Sequence, residues 1–109
     1  MFKPTSILKI DFDGHRLGAG KVRLLELIVE TGSISAAAKK MDMSYRRAWL
    51  LMDELNHMFG RDVIATAAGG SGGGGATVTE FGFQVISFFR ALENEVDVLA
   101  QKRISALFK

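Results

Sequence analysis

Gly32-Ser-Ile-Ser-Ala-Ala-Ala-Lys-Lys-Met-Asp-Met-Ser-Tyr-Arg-Arg-Ala-Trp49 is the stretch that decides the fold. Ser33 and Ser44 each carry a hydroxyl that accepts a hydrogen bond from an unpaired amide at a helix N-terminus, so each marks a helix start. The starts lie eleven residues apart, which leaves the first helix about two turns at 3.6 residues per turn. It ends near Met41, and Asp42 and Met43 make the turn. Ala36, Ala37 and Ala38 give that helix little bulk, so a second helix crosses it closely. Two short helices, a tight turn and a close crossing spell a helix-turn-helix.

In the second helix Ala48, Met52, Leu55 and Phe59 recur at steps of four, three and four and form one buried stripe. Arg46, Arg47, Leu50, Asp53 and Glu54 then face outward. In such motifs this first outward turn enters the major groove, where an arginine fork reads a guanine edge or clamps a phosphate.

Outward from the motif, Leu8 to Asp13 alternates apolar and polar residues, the period of a half-buried strand. From Gly20 to Glu30, Val22, Leu25, Ile28 and Val29 follow helical spacing, and Thr31-Gly32 ends the run. Downstream, Gly60 caps the second motif helix. Val63-Ile-Ala-Thr-Ala67 and Ala76-Thr-Val78 flank Gly69-Gly-Ser-Gly-Gly-Gly-Gly75 as a hairpin. Thr79 then opens one helix to the C-terminus, about 40 Å long at 1.5 Å per residue. The expected fold class is mainly α with a small β-hairpin: a winged helix-turn-helix with a long C-terminal dimerisation helix. Its expected extent is one domain over 1–109, with helices in 18–59, the motif at 33–59, a wing hairpin at 63–79 and the dimerisation helix at 80–109.

Fourteen basic and twelve acidic residues leave a formal charge of only +2, so an argument for DNA rests on where charges sit. Lys39, Lys40, Arg46 and Arg47 have only Asp42 near them in sequence, whereas Glu93, Glu95 and Asp97 cluster far downstream. The absence of cysteine excludes disulfides and thiolate metal sites. No apolar run approaches the roughly 18 residues of a membrane span, and the N-terminus lacks a signal-peptide pattern. A cytoplasmic protein is expected, without membrane contact. His15 and His57 stand apart from any ligand-spaced cluster, so neither a metal nor a cofactor is expected. No serine sits in a nucleophile elbow, and the chain does not read as an enzyme.

Gly-Ser-Ile-Ser at 32–35, Ala37-Ala38-Lys39, Ser44-Tyr45, Ala48-Trp49 and the glycine run through Ala76 to Thr79 together resemble the N-terminal DNA-binding domain of ModE-type molybdate-responsive regulators, whose helix-turn-helix is akin to that of LysR-type proteins. The resemblance covers most of the chain. It implies that Ser33, Ser35, Ser44, Tyr45, Arg46, Arg47 and Trp49 lie at or near DNA, that the glycine loop is a wing, and that the long helix makes a homodimer, assisted by the helix at 20–30. Two departures limit it. The family's wing carries an arginine where this chain has Thr66 and a lysine where it has Ser71, so Val63 to Thr79 is uncharged and should grip phosphate less strongly. Full-size members continue into molybdate-binding domains, which nothing up to Lys109 resembles. Molybdate is therefore not expected to bind this chain directly.

The candidate DNA-binding set is Ser33, Ser35, Ser44, Tyr45, Arg46, Arg47, Trp49 and Leu50, with Thr66, Gly70, Ser71 and Gly72 in the wing. Ser33 and Ser35 are first of all helix-start residues, although amides there also bind phosphate. Lys39 and Lys40 divide between phosphate contact and compensation of the helix dipole. Trp49 divides between core and DNA. The glycine loop admits a linker or a phosphate cradle beside the wing, but it lacks the Gly-Lys-Ser/Thr ending of a P-loop. In the last helix Phe81, Val85, Phe88, Leu92, Val96 and Leu99, widened by Phe89 and Ile104, make an apolar surface that one small domain covers only in its first half. These eight residues are the expected dimerisation set. The resulting expectation is a bacterial-type transcriptional regulator, a homodimer that binds an inverted repeat in double-stranded DNA. The alternative is a winged-helix module that binds a protein partner.

Overall fold

The computed structural model describes residues 5–66 and 75–109. Among these residues the elements run β1 Lys9–Phe12, β2 His15–Gly18, α1 Ala19–Thr31, α2 Ile34–Lys40, α3 Tyr45–Phe59, β3 Ile64–Thr66, β4 Ala76–Val78 and α4 Glu80–Leu107. This is the expected winged helix-turn-helix with its long terminal helix, and with a second hairpin in front of it.

That first hairpin is an addition to the sequence reading, which finds a strand at Leu8 to Asp13 but no partner for it. β1 pairs antiparallel with β2, from Lys9 opposite Gly18 to Phe12 opposite His15. The two linking residues, Asp13 at φ 53° and Gly14 at φ 93°, both lie in the left-handed region, as the tight turn of a two-residue hairpin demands. The Asp11 carboxylate closes the turn by accepting the Gly14 amide at 2.7 Å. Leu17 carries the hairpin into the core, where it is fully buried.

α1 is the central helix. Val22, Leu24, Leu25, Leu27 and Ile28 are all buried, so its contacts wrap most of its circumference, whereas Val29, read from sequence as part of the apolar stripe, is exposed. Around it lie α2, α3, α4, β2 and β4. The Gly32 amide ends α1 by returning to the Ile28 carbonyl at 2.8 Å with φ 72°. Phe12, Phe59 and Phe81 meet edge to face at centroid distances of 5.2 and 5.5 Å. This series joins β1, the end of α3 and the start of α4.

Thr79 caps α4, its hydroxyl accepting from the Gly82 amide at 3.0 Å and donating to the Asp62 carbonyl at 2.6 Å. Val85 and Phe89 bury the first turns of α4 in the core. At about 1.5 Å per residue the helix is too long for the body beneath it, and the molecule extends 63 × 27 × 23 Å. Near the far half of α4, the Ser6 amide donates to Asp97 Oδ1 at 2.7 Å and the Ser6 hydroxyl donates to the same oxygen, which ties the N-terminal segment to the helix.

Candidate nucleic-acid interface

The two motif helices are held by the features that announced them. The Ser33 hydroxyl accepts from the Ala36 amide at 3.1 Å, and the Ser44 hydroxyl accepts from the Arg47 amide at 3.1 Å. Between them the Met43 amide donates to the Ala38 carbonyl at 3.0 Å while Asp42 takes φ 53°, a conformation that aspartate tolerates better than most residues. Ala37, Ala38 and Ala48 are buried at this crossing.

α3 buries Ala48, Met52 and Leu55 and leaves its opposite face to solvent. Tyr45, Trp49 and Leu50 are 56%, 43% and 48% exposed, so Trp49 is not fully buried in the core. Arg46 and Arg47 are exposed in the first turn, and Lys39 and Lys40 are exposed at the end of α2. Among the described residues none of these four cations forms an ion pair. Arg46, Arg47 and Leu50 line a shared recess of about 230 Å³ beside Ser44.

The acidic residue in this recess, Glu54, is compensated from behind. Lys21 Nζ lies 3.0 Å from one of its oxygens and His15 Nδ1 3.1 Å from the other. The hydrogen bond from Lys21 and then that from His15 hold its carboxyl below the usual carboxylate range. The outward face therefore keeps its positive character at the end where Arg46 and Arg47 stand.

Ser33 is occupied within the protein: its hydroxyl caps α2 and its amide donates to Thr31 Oγ1 at 3.3 Å. It is a cap here, and its amide is engaged within the chain. Ser35 is exposed one position into α2. Thr66 ends β3 opposite Ala76 and is exposed. The base of the wing is fixed to the motif, because the Ala76 amide donates to the Gly32 carbonyl at 3.0 Å. Gly70, Ser71 and Gly72 lie outside the described residues.

The expected dimerisation set divides. Phe89 is fully buried and Val85 nearly so, while Phe81 packs against Phe59 under the Arg61 guanidinium. Val85 and Phe89 belong to the protomer's own core and leave the set, because a side chain enclosed by its own chain has no surface left for a partner, whereas Phe81 is only partly buried. Phe88 and Leu99 are about half exposed, and Leu92, Val96 and Ile104 are partly so. Val98 is more exposed than any of these; it lies off the stripe, so periodicity does not select it. Arg90 fixes the point where the helix leaves the body, gripping Glu26 of α1 with two hydrogen bonds and Glu93 with a third at 2.7 Å.

A short helix crossed by a longer one with an open arginine-bearing first turn, a wing pinned beside them and a projecting terminal helix define the winged helix-turn-helix class. Residues 20–82 match the bacterial regulatory helix-turn-helix proteins of the lysR family, and the chain belongs to that family. It is 38% identical over 89 residues to the molybdenum transport protein ModE of Azotobacter vinelandii, covering 81% of this chain and 33% of that protein. Identity is 42% over 80 residues to the molybdenum-pterin-binding protein MopB of Rhodobacter capsulatus, covering 73% and 30%. It is 37% over 81 residues to the DNA-binding transcriptional dual regulator ModE of Escherichia coli K12, covering 74% and 28%. The chain thus spans a third or less of the length of these relatives. Among solved structures, that of a CbnR_DBD–DNA complex superposes with a TM-score of 0.62 at 18% identity, covering 85% of this chain and all of that one. The LysR family transcriptional regulator VV2_1132 gives 0.59 at 22%, covering 83% and 29%. At these identities the likeness bears on the fold.

Proposed function

We propose that this chain binds double-stranded DNA as a sequence-specific transcriptional regulator, and that it does so as a homodimer on an inverted repeat. The observation that carries the reading is the first turn of α3, where Arg46 and Arg47 stand exposed, without ionic partners among the described residues, beside Tyr45, Trp49 and Leu50. Such a guanidinium gives up no internal partner on binding, and its fork matches a guanine edge or a phosphate. The relative from Escherichia coli is described as DNA-binding, which supports the same assignment.

Dimerisation is supported by the stripe on α4. The helical face that buries Val85 and Phe89 continues through Leu92 and Val96 to Leu99 after the body has ended, so among the described residues its second half has apolar surface and no core. With Arg46 and Arg47, and with Lys39 and Lys40 added, a dimer neutralises about four to eight phosphates. Titrating the affinity for random duplex against salt tests the reading: a steep fall is expected, and a flat response contradicts it. No catalytic role, cofactor or direct molybdate binding forms part of this proposal, and its place of action is the cytoplasm.

A second reading has its own observation. Leu50 and Trp49 are apolar and half exposed on the same face as the arginines, and the span from Val63 to Thr79 carries no charge. A winged-helix module that docks a protein partner through this face would show no steep salt slope with random duplex.

A further inference from the structure

The first hairpin places a second group of cations beside the recognition helix. β1 and β2 alternate, so Lys9, Asp11, Arg16 and Gly18 share the face opposite Ile10 and Leu17. On that outer face Lys9 lies across Gly18, where an added Cβ would come within 3.6 Å of the lysine Cγ. Lys9, Arg16 and Arg47 line one recess of about 280 Å³, floored by Met41, Met43 and Leu51. Arg47 and Leu51 also line the recess at the head of α3. The two concavities are therefore neighbours with a common wall, and the cations of the hairpin continue the positive edge of the recognition helix.

The other charges around this recess are already engaged. Lys21 lies within 3.0 Å of Glu54 and donates to the Arg16 carbonyl at 2.6 Å, which binds the hairpin to α1. Asp11 stands across from Arg16 but accepts the turn amide of Gly14, and the two form no ion pair. Lys9, Arg16 and Arg47 likewise have no ionic partner among the described residues. Three such cations on separate elements, converging on one open recess, suit a chain of phosphates better than an internal salt bridge.

We propose that the β1–β2 hairpin is a phosphate-binding arm of the DNA interface, with Lys9 and Arg16 gripping the backbone next to the groove that α3 enters. The proposal rests on the DNA-binding reading and extends it. It assigns to the hairpin the non-specific grip that the uncharged segment from Val63 to Thr79 lacks. The ligand chemistry is a tetrahedral oxyanion, and the source is the duplex backbone.

The test is the salt dependence of duplex binding by the intact chain carrying Lys9→Gln and Arg16→Gln together. The slope of log affinity against log salt should shrink by about 0.9 for each phosphate that is no longer neutralised, up to about 3.6 for a dimer, with affinity falling equally on preferred and random sequences. The swap Lys9→Arg with Arg16→Lys should keep the slope. An unchanged slope in the neutral variant, beside a steep one in the wild type, would overturn the arm while leaving the recognition helix in place. Equal losses in the neutral and charge-preserving variants would also overturn it, since they mark a structural role. Tight binding of inorganic phosphate without DNA, abolished by the neutral pair while the slope stays fixed, would replace the backbone with a free anion. A wild type without salt-dependent binding would remove the DNA reading and this arm together.

Discussion

The guanidinium of Arg90 meets the carboxylate of Glu26 through two parallel hydrogen bonds, Nε to Oε2 at 3.0 Å and Nη2 to Oε1 at 2.9 Å. The residues are 64 positions apart and join α4 to α1 where the terminal helix leaves the body. Bidentate geometry makes this the best-defined ion pair among the described residues. Arg90→Ala should lower stability by about 1 to 2 kcal/mol, a range kept modest because both side chains retain contact with water. A urea unfolding midpoint measures it.

The same pair sets a pH dependence. Arg90 holds the Glu26 carboxyl below its ordinary value of 4.5, chiefly by hydrogen bonding. A depressed folded value contributes stability that is complete above the unfolded value and is lost as pH falls through the folded one. Unfolding midpoints of the wild type should therefore decline below about pH 4.5, and Glu26→Gln should flatten part of that decline. Identical pH profiles for the two proteins would refute the assignment.

Gly82 and Gly20 should respond to alanine in opposite directions. At Gly82 an added Cβ would fall 2.2 Å from the Val63 carbonyl oxygen and 2.5 Å from Val78 Cγ1. Because the first of these neighbours is backbone, α4 must move, and a cost at the upper end of about 1 to 3 kcal/mol outweighs the gain of about 1 kcal/mol in helix propensity. At Gly20 an added Cβ meets nothing within 4 Å, so alanine should stabilise by about 0.4 to 1 kcal/mol. Thermal melts of the two variants decide both signs.

Much of this fold is legible in the sequence because helix ends are local chemistry. Ser33, Ser44 and Thr79 cap the helices whose starts they signal, and Gly32 and Gly60 close α1 and α3 in the left-handed conformation. β2 escapes a sequence reading because His15-Arg-Leu-Gly18 holds one apolar residue and shows no alternation, although Asp13-Gly14 is itself a hairpin signal. Periodicity places Phe81, Val85 and Phe89 on an apolar stripe but does not say which chain supplies the other side. The recess shared by Lys9, Arg16 and Arg47, like the grip of Arg90 on Glu26, depends on register and packing across the chain, to which no local pattern points.

Arg46 and Arg47 should separate by substitution. Alanine at an arginine that reads a base costs about 1 to 3 kcal/mol per copy and relaxes sequence preference at one position, whereas alanine at an arginine that holds a phosphate weakens all sequences alike. Affinities for preferred and scrambled duplexes, measured for each variant, assign the two roles.

Leu99 is half exposed on the part of α4 beyond the body. Leu99→Glu places a charge on the proposed seam without touching the buried Val85 or Phe89. It should shift sedimentation from dimer to monomer and leave the helical circular dichroism unchanged. A dimer that survives this change would place the seam elsewhere.

Selecting bound duplexes from a random pool tests the central claim most directly, since it asks at once for DNA binding, symmetry and spacing. Two α3 helices held by a dimer should enrich an inverted repeat with half-site centres about 10 to 10.5 base pairs apart, or a multiple of that. A pool that emerges without enrichment, or with a single unrepeated site, would contradict the account.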